Sequence, residues 1–140
     1  MKRKEFISSL GAAAAFALLT SCLGGCSKND GASPSTNVDF TLDLNDSNNA
    51  ALKTNGGYVI ANNCVIAKDT NGNYVAVTRV CSHEGQPQVT FNKSSNSFYC
   101  TAHGAQFSTL GKGLNSVGSN GLTVYKTSLD SANNKLRIYS

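Results

Sequence analysis

Two short cysteine–histidine pairs constrain this chain more than any other feature of its sequence. They are Cys81-Ser82-His83 and Cys100-Thr101-Ala102-His103, and sixteen residues separate them. The 140 residues contain only two histidines, and both lie within three positions of a cysteine. A glycine follows each pair (Gly85 and Gly104), as expected where the backbone folds tightly around a bound group. Two thiolates and two imidazoles on opposing loops predict a metal site.

The pattern C-x-H-(x16)-C-x-x-H resembles the two cluster-binding boxes of Rieske [2Fe-2S] proteins. The resemblance implies one [2Fe-2S] cluster per chain, with Cys81 and Cys100 on the inner iron and His83 and His103 on the outer iron. Histidines in place of two cysteines raise the potential of such a cluster above that of an all-cysteine ferredoxin. Structural zinc is the main alternative, although zinc fingers group their ligands as C-x2–4-C and H-x3–5-H. Two chance pairs are the third interpretation.

The N-terminus has the pattern of an export signal. Basic residues at positions 2–4 precede an apolar run from Phe6 to Leu19, which is shorter than the roughly 20 residues that span a bilayer. Two cysteines close the segment, in Leu19-Thr20-Ser21-Cys22 and Leu23-Gly24-Gly25-Cys26, and both resemble the lipobox of bacterial lipoproteins. The polar residues after Cys26 favour this cysteine as the lipidated mature N-terminus, with Cys22 as the alternative. Residues 1–25 are therefore predicted to be a lipoprotein-type signal peptide.

Export also bears on the route across the membrane. Rieske proteins that cross a membrane commonly use the twin-arginine pathway for folded cargo. Arg3-Lys4 only resembles that signal, because a lysine stands in the second arginine position. The sequence therefore does not decide the export route. The predicted location is the periplasm or cell envelope, with a lipid anchor in the membrane.

The composition of the mature chain excludes several classes of partner. From Cys26 onward there are nine basic and seven acidic residues, and no basic block is present. Nucleic-acid binding is therefore not predicted. Cys64 is the one mature cysteine without a predicted lipid or iron, and its apolar neighbours favour a small buried side chain. No structural disulfide is expected.

The rest of the chain predicts one all-β domain. Residues 26–37 are rich in serine, asparagine, glycine and proline, which is typical of a flexible tether. Residues 38–140 form the Rieske-type domain by resemblance, predicted as an antiparallel β-sandwich with a small cluster-binding subdomain made by two loops. The predicted strands lie at Val38–Leu44, Tyr58–Ala61, Val65–Ala67, Tyr74–Val80, Val89–Phe91, Phe98–Tyr99, Leu122–Tyr125 and Leu136–Tyr139. The Asn71-Gly72-Asn73 turn predicts that the third and fourth of these strands form a hairpin.

Four positions separate this chain from the cytochrome bc-type branch of the family. That branch has one extra cysteine in each box, joined by a disulfide, and the matching residues here are Gln86 and Ala102. It also places serine and tyrosine hydroxyls near the cluster sulfurs, where this chain has Ala105 and Phe107. At these four positions the chain resembles the Rieske ferredoxins and related electron-transfer modules. The Gly-Pro-Ala loop common in the family is also replaced, here by the proline-free segment 117–121.

The resulting functional prediction is a one-electron carrier that is not an enzyme by itself. Its expected partners are a protein donor and a protein acceptor, and no small-molecule substrate is predicted. One alternative is the small Rieske subunit of a periplasmic or quinol-oxidising complex. The other is a zinc-stabilised lipoprotein without redox function. A mononuclear oxygenase is disfavoured because two more histidines and a carboxylate would be needed.

Overall fold

The computed structural model describes residues 32–140. The predicted signal peptide at 1–25 and both candidate lipidation sites, Cys22 and Cys26, lie outside the described residues. Within the described part of the chain, no helix is long and apolar enough to cross a membrane.

In residues 32–140, nine antiparallel strands form two sheets, which confirms the predicted all-β class. Six strands make the larger sheet, in the order β1-β9-β8-β4-β3-β2, and the smaller sheet has the order β5-β6-β7. The strands are β1 (Asp39–Asp43), β2 (Tyr58–Ala61), β3 (Cys64–Lys68), β4 (Tyr74–Thr78), β5 (Val89–Asn92), β6 (Ser97–Cys100), β7 (Gln106–Phe107), β8 (Val124–Asp130) and β9 (Lys135–Tyr139).

Short polar turns fix the register of the hairpins. Between β3 and β4, the buried Asp69 carboxylate accepts hydrogen bonds from the backbone N–H groups of Asn71 and Asn73, at 2.9 and 2.8 Å. This hairpin was predicted from the sequence. Between β2 and β3, Asn62 and Asn63 both have positive φ, at 49° and 60°. Asparagine tolerates this conformation, which two-residue hairpin turns require at both positions.

Strand β3 lies between two apolar cores. Because side chains alternate across a strand, Cys64 and Ile66 face one core, and Val65 and Ala67 face the other. The first core contains Val38, Leu44, Leu52, Cys64, Ile66, Ala76, Tyr125, Leu136 and Ile138. The second contains Val65, Ala67, Val77, Cys81, Val89, Phe91, Phe98, Cys100, Ala105 and Phe107. The second core therefore joins the larger sheet to the cysteines of both predicted boxes.

A 3₁₀ helix at Ser47–Lys53 was not predicted from the sequence. The Asp46 side chain caps it by accepting a hydrogen bond from the Asn48 N–H at 2.9 Å. Leu52 is fully buried in the first core, so a single apolar side chain anchors the helix. With so short a segment, no helical period of apolar residues exists for sequence analysis to detect.

The last residues of the predicted tether make hydrogen bonds with the domain. The Ala32 N–H donates to the Gly85 carbonyl at 3.1 Å, and the Tyr125 hydroxyl donates to the Ser35 carbonyl at 2.9 Å. Residues 31–140 form one compact unit. The segment just before β1 is thus connected to the loop that contains the first predicted box.

Candidate metal centre

The first predicted box forms a tight loop between β4 and β5, which we call loop 1 (residues 81–86). The Cys81 N–H donates to the Gln86 carbonyl at 2.8 Å, and the Gly85 N–H donates to the Cys81 carbonyl at 2.8 Å. Gly85 has a φ of 70°, a conformation that L side chains rarely adopt. The glycine after the first histidine is therefore required by the turn.

The second box repeats this turn in loop 2 (residues 100–105), which begins at the last residue of β6. The Cys100 N–H donates to the Ala105 carbonyl at 2.8 Å, and the Gly104 N–H donates to the Cys100 carbonyl at 2.9 Å. Gly104 has a φ of 76°. The cysteine and the glycine occupy the same places in both turns, whereas the histidine is two residues after the cysteine in loop 1 and three after it in loop 2.

The two loops bring the four predicted ligands together in two layers. Cys81 and Cys100 are buried, with exposures of 1% and 0%. His83 and His103 are exposed, and their ring centroids are 5.1 Å apart. Two sulfurs thus lie in the second core and two imidazoles lie at the surface, as the inner and outer irons of a Rieske cluster would require.

Glu84 adds a carboxylate to the exposed layer. One of its oxygens, Oε2, lies 3.5 Å from Nε2 of His103. Glu84 is the chain neighbour of His83, and the turn of loop 1 also brings its carboxylate to the histidine of loop 2. It is the one acidic group near the two imidazoles in the described part of the chain.

The electrostatic setting of Cys81 reflects burial and its neighbours. Burial raises the pKa of the Cys81 thiol, the backbone N–H of His83 opposes that rise, and the nearby Cys100 thiol raises the pKa further. The backbone N–H of Glu84 also lowers it. A cysteine binds a metal as its thiolate. A bound cation would lower the thiol pKa and so offset the rise caused by burial and by the repulsion between two neighbouring sulfurs.

One polar atom in loop 1 has no partner. The Ser82 hydroxyl oxygen is buried and makes no hydrogen bond within the described residues. Buried hydroxyls usually have a partner, and an iron–sulfur cluster between the loops would offer sulfur acceptors. The orphan hydroxyl, the two buried thiols and the two exposed imidazoles therefore fit a [2Fe-2S] cluster.

A residue that sequence reasoning missed secures loop 2. The Asn115 side-chain amide donates to the Gly104 carbonyl at 2.8 Å. Its oxygen accepts hydrogen bonds from the N–H groups of Gln106 and Gly118, at 3.1 and 2.9 Å. Asn115 therefore ties loop 2 to the start of β7 and to the proline-free segment 117–121. The missing proline in that segment was the only sequence signal that some other restraint was needed.

Cys64, the third cysteine of the described residues, is not part of this site. It is fully buried in the first core, on the face of β3 that points away from the second core. This confirms the prediction of a small buried side chain. Among residues 32–140, none of the cysteines Cys64, Cys81 and Cys100 forms a disulfide. At the two positions where a disulfide would link the loops in the bc-type branch, this chain has Gln86 and Ala102.

Comparison with known proteins places this architecture in a family. No curated protein sequence matches the chain. Among solved structures, the chain is similar to the cyanobacterial plasma membrane Rieske protein PetC3 from Synechocystis PCC 6803, with a TM-score of 0.53. The two are 24% identical over 76% of this chain and 100% of that chain, a likeness that shows the fold. The Rieske [2Fe-2S] domain model matches residues 40–126, more than half of the chain. The chain therefore belongs to the Rieske [2Fe-2S] domain family, whose cofactor is a [2Fe-2S] cluster and whose members carry electrons.

Proposed function

We propose that this protein is a one-electron carrier whose cluster is held by Cys81, His83, Cys100 and His103. The observation that carries the proposal is the repeated turn of loops 1 and 2, with two buried thiols below two exposed imidazoles. The cluster, when bound, supplies one-electron oxidation and reduction without making or breaking a bond in a substrate.

The roles of the residues follow from their burial. Cys81 and Cys100 would hold the inner iron of the cluster in a buried environment. There the backbone N–H groups of His83 and Glu84 favour the thiolate form of Cys81. His83 and His103 face the solvent, so their ring edges are the shortest path for an electron to or from a partner protein.

We also propose that the domain works outside the cytoplasm, tethered to a membrane by a lipid on Cys26. The support is the apolar segment Phe6–Leu19 and the lipobox-like sequence that ends at Cys26. The similar cyanobacterial protein is a plasma membrane Rieske protein, in agreement with a membrane location. A role as the small subunit of a periplasmic or quinol-oxidising complex differs in one measurable respect, because a large partner would copurify stoichiometrically.

The test is spectroscopy of the natively exported protein together with an alanine scan of the ligands. Reduced wild-type protein should give the electron paramagnetic resonance signal of a cluster with mixed histidine and cysteine ligands. Alanine at any of the four ligand positions should abolish that signal, because a ligand set without one member cannot close. Cys64→Ala is the matched control and should keep the signal and the iron content.

Two results would contradict the proposal. One is a colourless wild-type protein that contains zinc and no iron. The other is loss of the signal in Cys64→Ala with retention in Cys81→Ala or Cys100→Ala. Circular dichroism of every variant distinguishes loss of the cluster from loss of the fold.

A further inference from the structure

A groove of about 700 Å³ lies beside loops 1 and 2 and is lined by residues of strand β2 and of the small sheet. The lining includes Tyr58 and Ile60 of β2 and Tyr99 of β6. Gln86 and Thr101 bring the groove to both ligand loops. Its volume lies in the range of small-molecule sites, which is about 300–1,000 Å³, and the proposed electron transfer uses none of these side chains.

Arg79 is the one charged side chain among the residues that line this groove. Its backbone is fixed on both sides, because its N–H donates to the Asn63 carbonyl at 2.9 Å and its carbonyl accepts from the Val89 N–H at 3.1 Å. Its side-chain Nε is buried and has no hydrogen-bond partner in the described part of the chain. The side chain as a whole is half-buried. A buried N–H without a partner is costly, so a ligand that accepts a hydrogen bond from Nε would remove that cost.

The other arginine in the described region shows what Arg79 lacks. Arg137 donates from Nε and Nη2 to the two carboxylate oxygens of Asp39, at 2.9 and 2.7 Å. No such ion pair joins Arg79 to an acidic group among residues 32–140. A guanidinium that faces a groove without an internal counterion is free to bind an anion from outside.

We propose that this groove binds a small organic monocarboxylate with a flat apolar body. A single guanidinium presents a planar fork that matches the two oxygens of one carboxylate. The groove has no second cation and is lined by strands and loops, whereas phosphate sites commonly add further cations or a helix N-terminus. The tyrosine rings and Ile60 offer an apolar surface for the body of the ligand. This ligand site goes beyond the proposed electron transfer and does not depend on it.

The test is equilibrium dialysis of the natively exported protein against radiolabelled benzoate. Wild type should bind one benzoate per chain, and the Arg79→Gln variant should bind at least about tenfold more weakly, because a charge-assisted hydrogen bond is lost. The Arg79→Lys variant should also bind more weakly, since it keeps the charge but not the planar fork. Benzamide, a neutral analogue of the same shape, should fail to compete.

Arg137→Gln is the matched control, because it removes the other described guanidinium, and it should bind as wild type does. Four results would overturn the proposal: no saturable binding by wild type, equal binding by Arg79→Gln, equal binding by Arg79→Lys, or displacement by inorganic phosphate at concentrations where benzamide is inert. If Arg79→Gln does not fold by circular dichroism, the Arg79→Lys comparison decides the matter.

Discussion

We expect the side chains in the second core that lie close to Cys81 and Cys100 to affect the redox potential of the cluster. Ala105 and Phe107 are fully buried there, beside Cys81 and Cys100. Neither side chain can donate a hydrogen bond to sulfur. Such bonds stabilise the more negative, reduced state and raise the potential, so their absence favours the lower part of the Rieske range of about −150 to +300 mV.

Replacing Ala105 by serine and Phe107 by tyrosine together should therefore raise the midpoint potential. A charge-assisted hydrogen bond is worth roughly 1.5–3 kcal/mol. If about half of that differs between redox states, each new bond adds on the order of 30–65 mV. Redox titration of both proteins checks the prediction. Phe40→Tyr is the control, because Phe40 is half-buried against the first core, and this variant should leave the potential unchanged. An unchanged potential in the double variant would contradict it.

Cys64 gives a second prediction at the residue scale, because burial raises the pKa of its thiol from 9.0 to about 11. The thiolate is the reactive form, and a rise of two units lowers the thiolate fraction at pH 8 by roughly a hundredfold. Native protein should therefore resist alkylation by iodoacetamide at pH 8, and the rate should rise as the pH approaches 11. Urea-unfolded protein is the control and should react quickly. Native alkylation at the rate of a free thiol would contradict the burial of Cys64.

Elements with their own local signals could be predicted from the sequence. Strand β1 alternates apolar and polar residues, and the Asn71-Gly72-Asn73 turn identified the β3–β4 hairpin. The β2–β3 hairpin was missed, although Asn62-Asn63 is a pair that tolerates positive φ at both positions. The 3₁₀ helix was missed because its one buried anchor, Leu52, leaves no periodic pattern.

The Asn115 clamp yields a prediction at the scale of the loop. Asn115→Ala removes three hydrogen bonds that join loop 2 to its neighbours. At a partly exposed site this should lower the free energy of unfolding by about 1–2 kcal/mol and speed the loss of the cluster during storage. Thermal unfolding and the decay of visible absorption measure the two effects.

Asn120→Ala is the matched control for the clamp, because Asn120 is exposed in the same region and its side chain makes no hydrogen bond to the described residues. This variant should behave as wild type does. Equal stability of Asn115→Ala and wild type would show that the proline-free segment needs no such restraint.

At the scale of the whole molecule, the placement of the two cysteine–histidine pairs on opposing loops could be predicted from the sequence, but the contacts that support those loops could not. The pairs that contain Cys81 and Cys100 carry a local spacing signal. The pairing of Ala76 with Tyr125, which joins β4 to β8, depends on a contact between distant segments. The three hydrogen bonds of Asn115 are closer in sequence, but they follow no periodic pattern of residues. The groove beside Arg79 is lined by residues from β2 and β6, which come to one groove only in the folded chain.

The anchor gives a prediction for the whole molecule. Labelling with a radioactive fatty acid should mark wild-type protein and fail on Cys26→Ser, because the lipidated cysteine becomes the mature N-terminus. Cys22→Ser is the matched control and should still be labelled. Labelling that fails on Cys22→Ser instead would move the mature N-terminus to Cys22, and an unlabelled wild type would contradict the lipid anchor.

The layered exposure of the ligands has a consequence for the order of turnover. Both cysteines are buried, and the two exposed histidines lie 5.1 Å apart on one face. A typical protein partner covers about 800 Å² of surface, far more than two imidazole edges. If the proposed donor and acceptor both use this face, they cannot occupy it together, and each must leave before the other arrives. We therefore expect turnover by double displacement, in which either partner in excess competitively inhibits the other.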